Sequence, residues 1–180
     1  MRAIRYLRLV AENAGRRCAH NEATTSLLHA LELVGKLPHS ERATAETEIL
    51  AKLATIYLVS FDMRVVETCE VLAARAAHYG LVDMEVRALI DMAYPLSWIS
   101  SERCLAVLER ALELAATQTD PLARARTRAS CFVRRIWAGG WNDTDAEDCR
   151  RALAEIRRIG DRLVLAAHLI DYNFIQWVSS

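Results

Sequence analysis

The chain has 180 residues, 53% of them apolar, with only six Gly and three Pro, a composition that favours helix and allows a substantial buried core. Lys and Arg number 23, and Asp and Glu also number 23, so the formal net charge is zero. No net positive field draws the chain to nucleic acid or to an anionic membrane surface, and we expect no direct nucleic-acid partner.

Targeting and redox features predict a cytoplasmic protein. Arg recurs at every third residue near the amino terminus, at Arg2, Arg5 and Arg8, which breaks the continuous apolar core that a signal peptide needs. No stretch approaches the roughly 18 apolar residues required to span a bilayer, so we expect no membrane partner. The five cysteines are odd in number and widely spaced, which predicts reduced, buried thiols.

Apolar residues recur at helical spacing along the whole chain and group into helix pairs. One apolar pattern returns at separations of 42, 39 and 41 residues, at Leu27, Cys69, Leu108 and Cys149. A period of about 40 residues predicts an all-α fold, an α-α superhelix of antiparallel helix pairs with about nine helices in a single repeat domain. Its predicted units are about 1–38, 39–80, 81–119, 120–160 and a partial 161–180.

Caps and helix breakers mark the boundaries of these helices in chain order. Asp62 is the predicted cap of the second helix in the second unit. Pro95 predicts a kink or an end in the first helix of the third unit. Asp120 is the predicted cap of the fourth unit, and Asp143 or Thr144 caps its second helix.

The last helix has no partner helix in the sequence. Leu165, Leu169, Phe174 and Trp177 make it strongly apolar, whereas a terminal repeat normally presents a polar face. We therefore expect that the array continues beyond residue 180, or that this helix pairs with a second copy of the chain in a homodimer.

The first unit carries small and large apolar residues at Ala11, Ala23, Leu27, Ala30 and Leu31. This pattern resembles tetratricopeptide repeats, and the beginning of the chain resembles the stretch after the nucleotide-binding domain of large bacterial ATPase regulators. The resemblance implies a tetratricopeptide-like solenoid in a bacterial signalling protein or transcriptional regulator. A flanking ATPase or DNA-binding domain of the same polypeptide is then an implied partner. The chain has no phosphate-binding loop motif, so no ATPase chemistry is carried over to it.

Aromatic residues recur near the ends of the first helices at intervals of 41, 39 and 40 residues, at Tyr57, Trp98, Trp137 and Trp177. Tyr94 and Tyr172 precede two of the tryptophans by four or five residues and so lie on nearly the same face. We predict an aromatic ladder on a concave surface that grips a partner protein or peptide. The alternative is that the rings fill the seams between successive repeats.

One predicted helix carries five cations and no acid, at Arg124, Arg126, Arg128, Arg134 and Arg135. Guanidinium groups bind carboxylates in bidentate fashion, so these arginines, with Arg128 and Arg135 foremost, are candidates to hold an acidic peptide or a carboxylate. The alternative is a solvated or internally neutralised helix face.

No residue spacing points to a metal site, a cofactor or a catalytic centre. The pairs Cys18/His20 and His168/Asp171 each lack a third ligand at convincing spacing. No Ser, His and Asp set lies in a strand-turn-helix context. We therefore expect no metal, no cofactor and no enzymatic activity.

The sequence as a whole favours a protein-protein interaction or signal-coupling scaffold that binds a protein or peptide on a concave helical surface. Aromatic and arginine side chains on rigid helices would supply the affinity. The alternative function is a small-molecule sensor, in which the kink at Pro95 opens a pocket between Tyr94, Trp98 and Trp137.

Overall fold

The structure is a computed structural model that describes residues 2–178, apart from the side chains of residues 39 and 40. Within that range the chain is all-α, with nine helices and no strand, which confirms the predicted fold class. The helices are α1 (Arg2–Arg16), α2 (His20–Val34), α3 (His39–Val59), α4 (Arg64–His78), α5 (Val82–Ile99), α6 (Ser101–Ala115), α7 (Pro121–Gly139), α8 (Asp143–Ile159) and α9 (Arg162–Val178).

The helices form two compact units, which divide inside α5 between Asp91 and Met92. In the first unit α2 packs on α1 and α3, and α4 packs on α3. In the second unit α7 packs against α6 and α8, and α9 packs on both α7 and α8. Helices joined by short connections pack as antiparallel neighbours, so the chain runs as successive helix pairs. The sequence predicted one domain over 1–180, of which residues 1, 179 and 180 lie outside the described range.

The second helix of each pair buries the apolar stripe that recurs along the sequence. In α6, Leu108 and Ala111 are fully buried and Ala115 nearly so, whereas Glu109 and Glu113 face solvent. Alanine at such positions lets neighbouring helices approach closely, and burying one leucine side chain contributes about 1.5–3 kcal/mol. The repeated pattern therefore supplies the packing between helices within each unit.

Helix α7 lies at the centre of the core of the second unit. Its buried apolar residues meet those of α8 and α9 in one cluster, made of Ala125, Ala129, Phe132, Val133, Ile136, Ala146, Cys149, Ala152, Leu153, Ile156, Tyr172 and Ile175. Because α7 contributes to contacts on several sides, most of its surface is occupied by other helices.

Ion pairs and hydrogen bonds also link the helices of the first unit. Arg8 pairs with Glu48 at 2.6 Å and Lys52 pairs with Glu12, so both bridges join α1 to α3. The Glu46 carboxylate of α3 accepts a hydrogen bond from the Tyr79 hydroxyl at 2.9 Å. Bridges of this partly exposed kind contribute about 0.2–1 kcal/mol each, so they align helices that apolar packing already holds.

The structure bears on two predicted helix boundaries, since α5 does not end at Pro95 and α8 begins with a different cap. Helix α5 continues through Pro95 to Ile99, although proline removes one helical hydrogen bond. The turn after the proline is held by the burial of Leu96, which is fully buried, and by a local hydrogen bond in which Ser97 Oγ donates to the Tyr94 carbonyl at 2.6 Å. Helix α8 is capped by Asn142, whose side chain accepts from the Asp145 backbone N–H at 2.8 Å, and not by Asp143 or Thr144.

The outer face of α9 carries an exposed apolar stripe. Leu163, Ile170, Phe174 and Trp177 fall at i, i+7, i+11 and i+14, which places them on one side of the helix. Tyr172 and Ile175 on the opposite side are buried in the core cluster. Among the described residues, no helix has the length and apolarity needed to cross a membrane.

Candidate functional site: an aromatic surface on α5, α7 and α9

An unbroken run of aromatic rings crosses three first helices in the second unit. Trp98 of α5 meets Trp137 of α7 edge to face, with 5.6 Å between ring centroids. Trp137 in turn stacks on Phe174 of α9 at 6.0 Å, and Phe174 lies 6.3 Å from Trp177. Offset and edge-to-face geometries at these distances are favourable for aromatic pairs. We call Tyr94, Trp98, Trp137, Phe174 and Trp177 the aromatic surface.

Most rings of the aromatic surface are open to solvent. Trp98 is 66% exposed, Phe174 is 51% exposed and Trp177 is 75% exposed. Only Trp137, between its two neighbours, is half-buried, because one side of its ring packs on the core cluster. An exposed apolar patch of this kind is uncommon on a soluble domain unless something docks there.

A cavity of about 400 Å³ opens within this surface. Its lining comes from α5, α7 and α9, namely Tyr94, Ser97, Trp98, Val133, Arg134, Trp137, Asp171, Phe174 and Ile175. Three of these residues, Tyr94, Trp98 and Trp137, are those between which the sequence predicted a pocket. The predicted cause was a kink at Pro95; the helix continues through that residue to Ile99, and the lining side chains come from three adjacent helices.

Two predicted members of the ladder lie in the core. Tyr57 is only 4% exposed within the first unit, and the Arg64 guanidinium lies 4.5 Å from its ring centroid. Tyr172 is buried in the second unit, where its ring centroid lies 6.3 Å from that of Trp141. Both rings fill space between helices, as in the alternative interpretation that the rings fill seams between successive repeats.

The two arginines predicted to bind an acidic partner face α8. Arg135 Nε donates to Asp145 Oδ2 at 3.2 Å, and Arg128 lies 3.9 Å from the Glu155 carboxylate. Neither side chain lines the cavity. Their charges are therefore neutralised within the unit, by carboxylates of the following helix.

Two charged residues line the cavity, of which the sequence offered Arg134 only as one of five cations on its helix and Asp171 only in a possible metal-ligand pair. Arg134 precedes Trp137 by three residues and Asp171 precedes Phe174 by three, so each lies on the same helix face as the ring that follows it. Arg134 Nη1 donates to the Ser130 carbonyl at 3.3 Å, while its Nε is shielded from water and has no hydrogen-bond partner. In both cases the three-residue spacing to an aromatic residue was the feature of the sequence that could have placed the charge beside the aromatic surface.

Comparisons of the chain with known proteins identify no relative whose site could be compared with this one. The chain matches no family model, no curated protein and no solved structure. The tetratricopeptide resemblance therefore stays a prediction, and the role of the cavity is inferred from its own residues.

A Ser–His pair lies one helical turn from the cavity and joins α7 to α9. His168 Nδ1 lies 2.9 Å from the Val164 carbonyl, which can only accept, so this nitrogen carries the proton. In the neutral imidazole Nε2 then accepts from the Ser130 hydroxyl at 3.0 Å. A backbone carbonyl, not a carboxylate, orients this histidine, and the hydrogen bond links the two helices that carry Trp137 and Phe174.

The remaining metal-binding and thiol groups are dispersed. Within residues 2–178, no three His, Cys, Asp or Glu side chains converge as metal ligands would. Four cysteines are buried, and burial raises the pKa of the Cys69, Cys131 and Cys149 thiols to about 12. Cys18 corrects the prediction that all thiols are buried, because it is exposed in the α1–α2 connection with a backbone φ of 57°.

Proposed function

We propose that the chain is a non-catalytic binding module that receives apolar side chains of a protein or peptide partner on the aromatic surface. The observation that carries the proposal is the exposure of Trp98, Phe174 and Trp177 in one connected run of rings. Tryptophan and tyrosine are the residues most enriched among those that dominate binding energy at protein interfaces.

The way the rings are supported favours recognition by a preformed surface. Each ring projects from a regular helix, and α7 and α9 are fixed to each other by core packing and by the Ser130–His168 hydrogen bond. A surface that is already ordered loses little conformational entropy when a partner binds, so more of the contact energy remains as affinity.

Selection of peptides from a displayed library on the purified chain tests this proposal. We expect the selected peptides to carry large apolar residues and to lose roughly tenfold or more in affinity for Trp98→Ala. Tyr6→Ala is the matched control, because Tyr6 is an aromatic residue of α1 with 67% exposure and lies in the first unit. Peptides that bind the Trp98 variant as tightly as the wild-type chain would contradict the proposal.

A second candidate function is a small-molecule sensor, and the cavity favours it. A volume of about 400 Å³ falls within the roughly 300–1,000 Å³ of small-ligand sites. A thermal-shift screen of metabolites tests it, since a compound that binds only the folded chain raises the melting temperature. We expect such a shift to disappear in Trp137→Leu, and a shift that persists there would place the compound elsewhere.

The resemblance to bacterial ATPase regulators extends the proposal to signal coupling. In that setting the aromatic surface would engage a flanking ATPase or DNA-binding domain of the same polypeptide, or a separate regulatory protein. Binding of a purified candidate domain to the wild-type chain but not to Trp98→Ala would support this role, and equal binding to both would contradict it.

A further inference from the structure

Two side chains of opposite charge line the aromatic cavity, and among the described residues neither has an ion-pair partner. Arg134 belongs to α7 and Asp171 to α9, and the nitrogen and oxygen atoms of the two side chains are not within salt-bridge distance of each other. The charges in the cavity wall are therefore balanced but separated. This combination distinguishes the cavity from an entirely apolar docking groove.

Arg134 contrasts with its neighbour in the sequence. Arg135 is paired with Asp145, whereas the hydrogen bond of Arg134 goes to a backbone carbonyl within its own helix. A half-buried guanidinium without a carboxylate has lost part of its hydration and gained no counter-charge. A ligand carboxylate would supply that counter-charge through charge-assisted hydrogen bonds.

Asp171 supplies the opposite charge at the exposed edge of the cavity. It lies three residues before Phe174, so a cation held by its carboxylate would also lie beside the ring faces of the aromatic surface. Ammonium groups are attracted to such faces, and most strongly to tryptophan. A ligand with only a carboxylate would be repelled by Asp171, and one with only a cation would be repelled by Arg134.

We propose that the cavity binds a zwitterion with an apolar body, of which an α-amino acid with an aromatic or large aliphatic side chain is the simplest case. Its carboxylate pairs with Arg134, its ammonium group lies toward Asp171, and its side chain packs against Trp98 and Trp137. This inference rests on the binding role proposed for the aromatic surface, and it names the chemistry of the occupant. A free amino acid carries both charges beside its side chain, whereas an internal peptide residue presents the same side chain between neutral amide groups.

Two probes with the same ring distinguish these sources and test the charges. L-Phenylalanine carries both charges, whereas N-acetyl-L-phenylalaninamide carries neither and represents an internal peptide residue. By isothermal titration calorimetry we expect L-phenylalanine to bind the wild-type chain about tenfold more tightly than the neutral probe. Arg134→Gln and Asp171→Asn should each remove most of that preference and leave the affinity for the neutral probe unchanged.

Arg126→Gln is the matched control, since Arg126 is an exposed arginine of the same helix that does not line the cavity. It should leave the preference for L-phenylalanine intact. Equal binding of the two probes to the wild-type chain would overturn the zwitterion inference while leaving the aromatic docking proposal in place. Failure of both probes to bind would also overturn it, and the library selection would then decide separately whether the surface binds peptides.

Discussion

Single residues in this chain differ sharply in chemical reactivity, and the cysteines show it most directly. Burial raises the pKa of three thiols to about 12 and also raises that of Cys104, whose Sγ donates to the Ala93 carbonyl at 3.2 Å. The thiolate is the reactive form, and at pH 8 a thiol with such a pKa is ionised in roughly one molecule in ten thousand. The buried cysteines therefore behave as small apolar residues.

Thiol labelling measures this difference. With N-ethylmaleimide at pH 8 we expect one fast-reacting thiol, that of the exposed Cys18, and slow reaction of the other four cysteines. Peptide mass spectrometry over a time course identifies the labelled positions. Cys18→Ser should abolish the fast phase, and labelling in guanidinium chloride should reach every remaining thiol. A second fast site in the folded chain would contradict the burial described above.

The two adjacent arginines of α7 show what the sequence leaves undetermined at the residue scale. The sequence predicted that Arg128 and Arg135 bind a partner, but in the structure they pair with α8, and it is Arg134 that lines the cavity. Consecutive residues on a helix point about 100° apart, so the choice between them depends on where the next helix lies. The pattern of one sequence segment does not contain that information.

At the scale of single helices, the start of α8 depends on one side chain. Asn142 accepts from the Asp145 N–H and also donates to the Asp145 carboxylate at 2.9 Å, whereas Thr144 is exposed. Asn142→Ala should therefore destabilise the second unit by about 1–2 kcal/mol, toward the upper end for a cap, because it removes both bonds. Thr144→Ala, the control, should change stability by less than about 0.5 kcal/mol.

Urea unfolding followed by far-UV circular dichroism gives both free energies. Equal effects of the two substitutions would favour the cap that the sequence predicted and contradict the one in the structure. The sequence located this helix start to within two residues. It missed the cap because Asn142, Asp143 and Thr144 are all suitable cap residues and differ only in backbone conformation.

Helix α5 shows how packing offsets a local signal. The sequence predicted a kink or an end at Pro95, because proline is unfavourable inside a helix by about 3 kcal/mol. The residues around it, Ala93 and Leu96, are fully buried, and burying the leucine side chain contributes about 1.5–3 kcal/mol, an amount similar to that cost. Sequence periodicity predicted the helices, since it reflects the same burial, whereas the proline rule left open whether α5 ends at Pro95 or continues past it.

At the scale of the whole molecule, the exposed stripe on α9 and the zero net charge both favour self-association. Leu163 and Ile170 are exposed apolar residues on the stripe that do not line the cavity. A two-fold arrangement can bury the same face of both copies, and a chain without net charge has little long-range repulsion to oppose it. We therefore expect a homodimer through α9, in rapid equilibrium with the monomer.

Sedimentation velocity over a range of concentrations measures this association. Ile170→Glu should shift the equilibrium toward monomer, because dimerisation would bury an unpaired carboxylate. Thr144→Glu adds the same charge at an exposed site in α8 and should leave the equilibrium unchanged. A wild-type chain that stays monomeric at all concentrations would contradict the expected dimer.

The candidate surface as a whole was only partly predictable. The interval of about 40 residues correctly grouped Trp98, Trp137 and Trp177 on successive first helices, because equivalent positions of a repeat face the same way. The same interval also selected Tyr57, which is buried. Sequence spacing tells which side of the helix a residue lies on, but not whether another helix covers that side. Phe174 was missed as a member because it falls outside the strict interval.

The placement of the tryptophans has a practical consequence. All four of them, Trp98, Trp137, Trp141 and Trp177, belong to the second unit, and the first unit contains none. Tryptophan fluorescence, excited where tyrosine does not absorb, therefore monitors one half of the chain without background from the other. Because Trp98 and Trp137 are 5.6 Å apart, their excited states should also couple, and an occupant that separates the indoles would change the emission directly. The molecule carries its own optical probe at the place where binding is proposed.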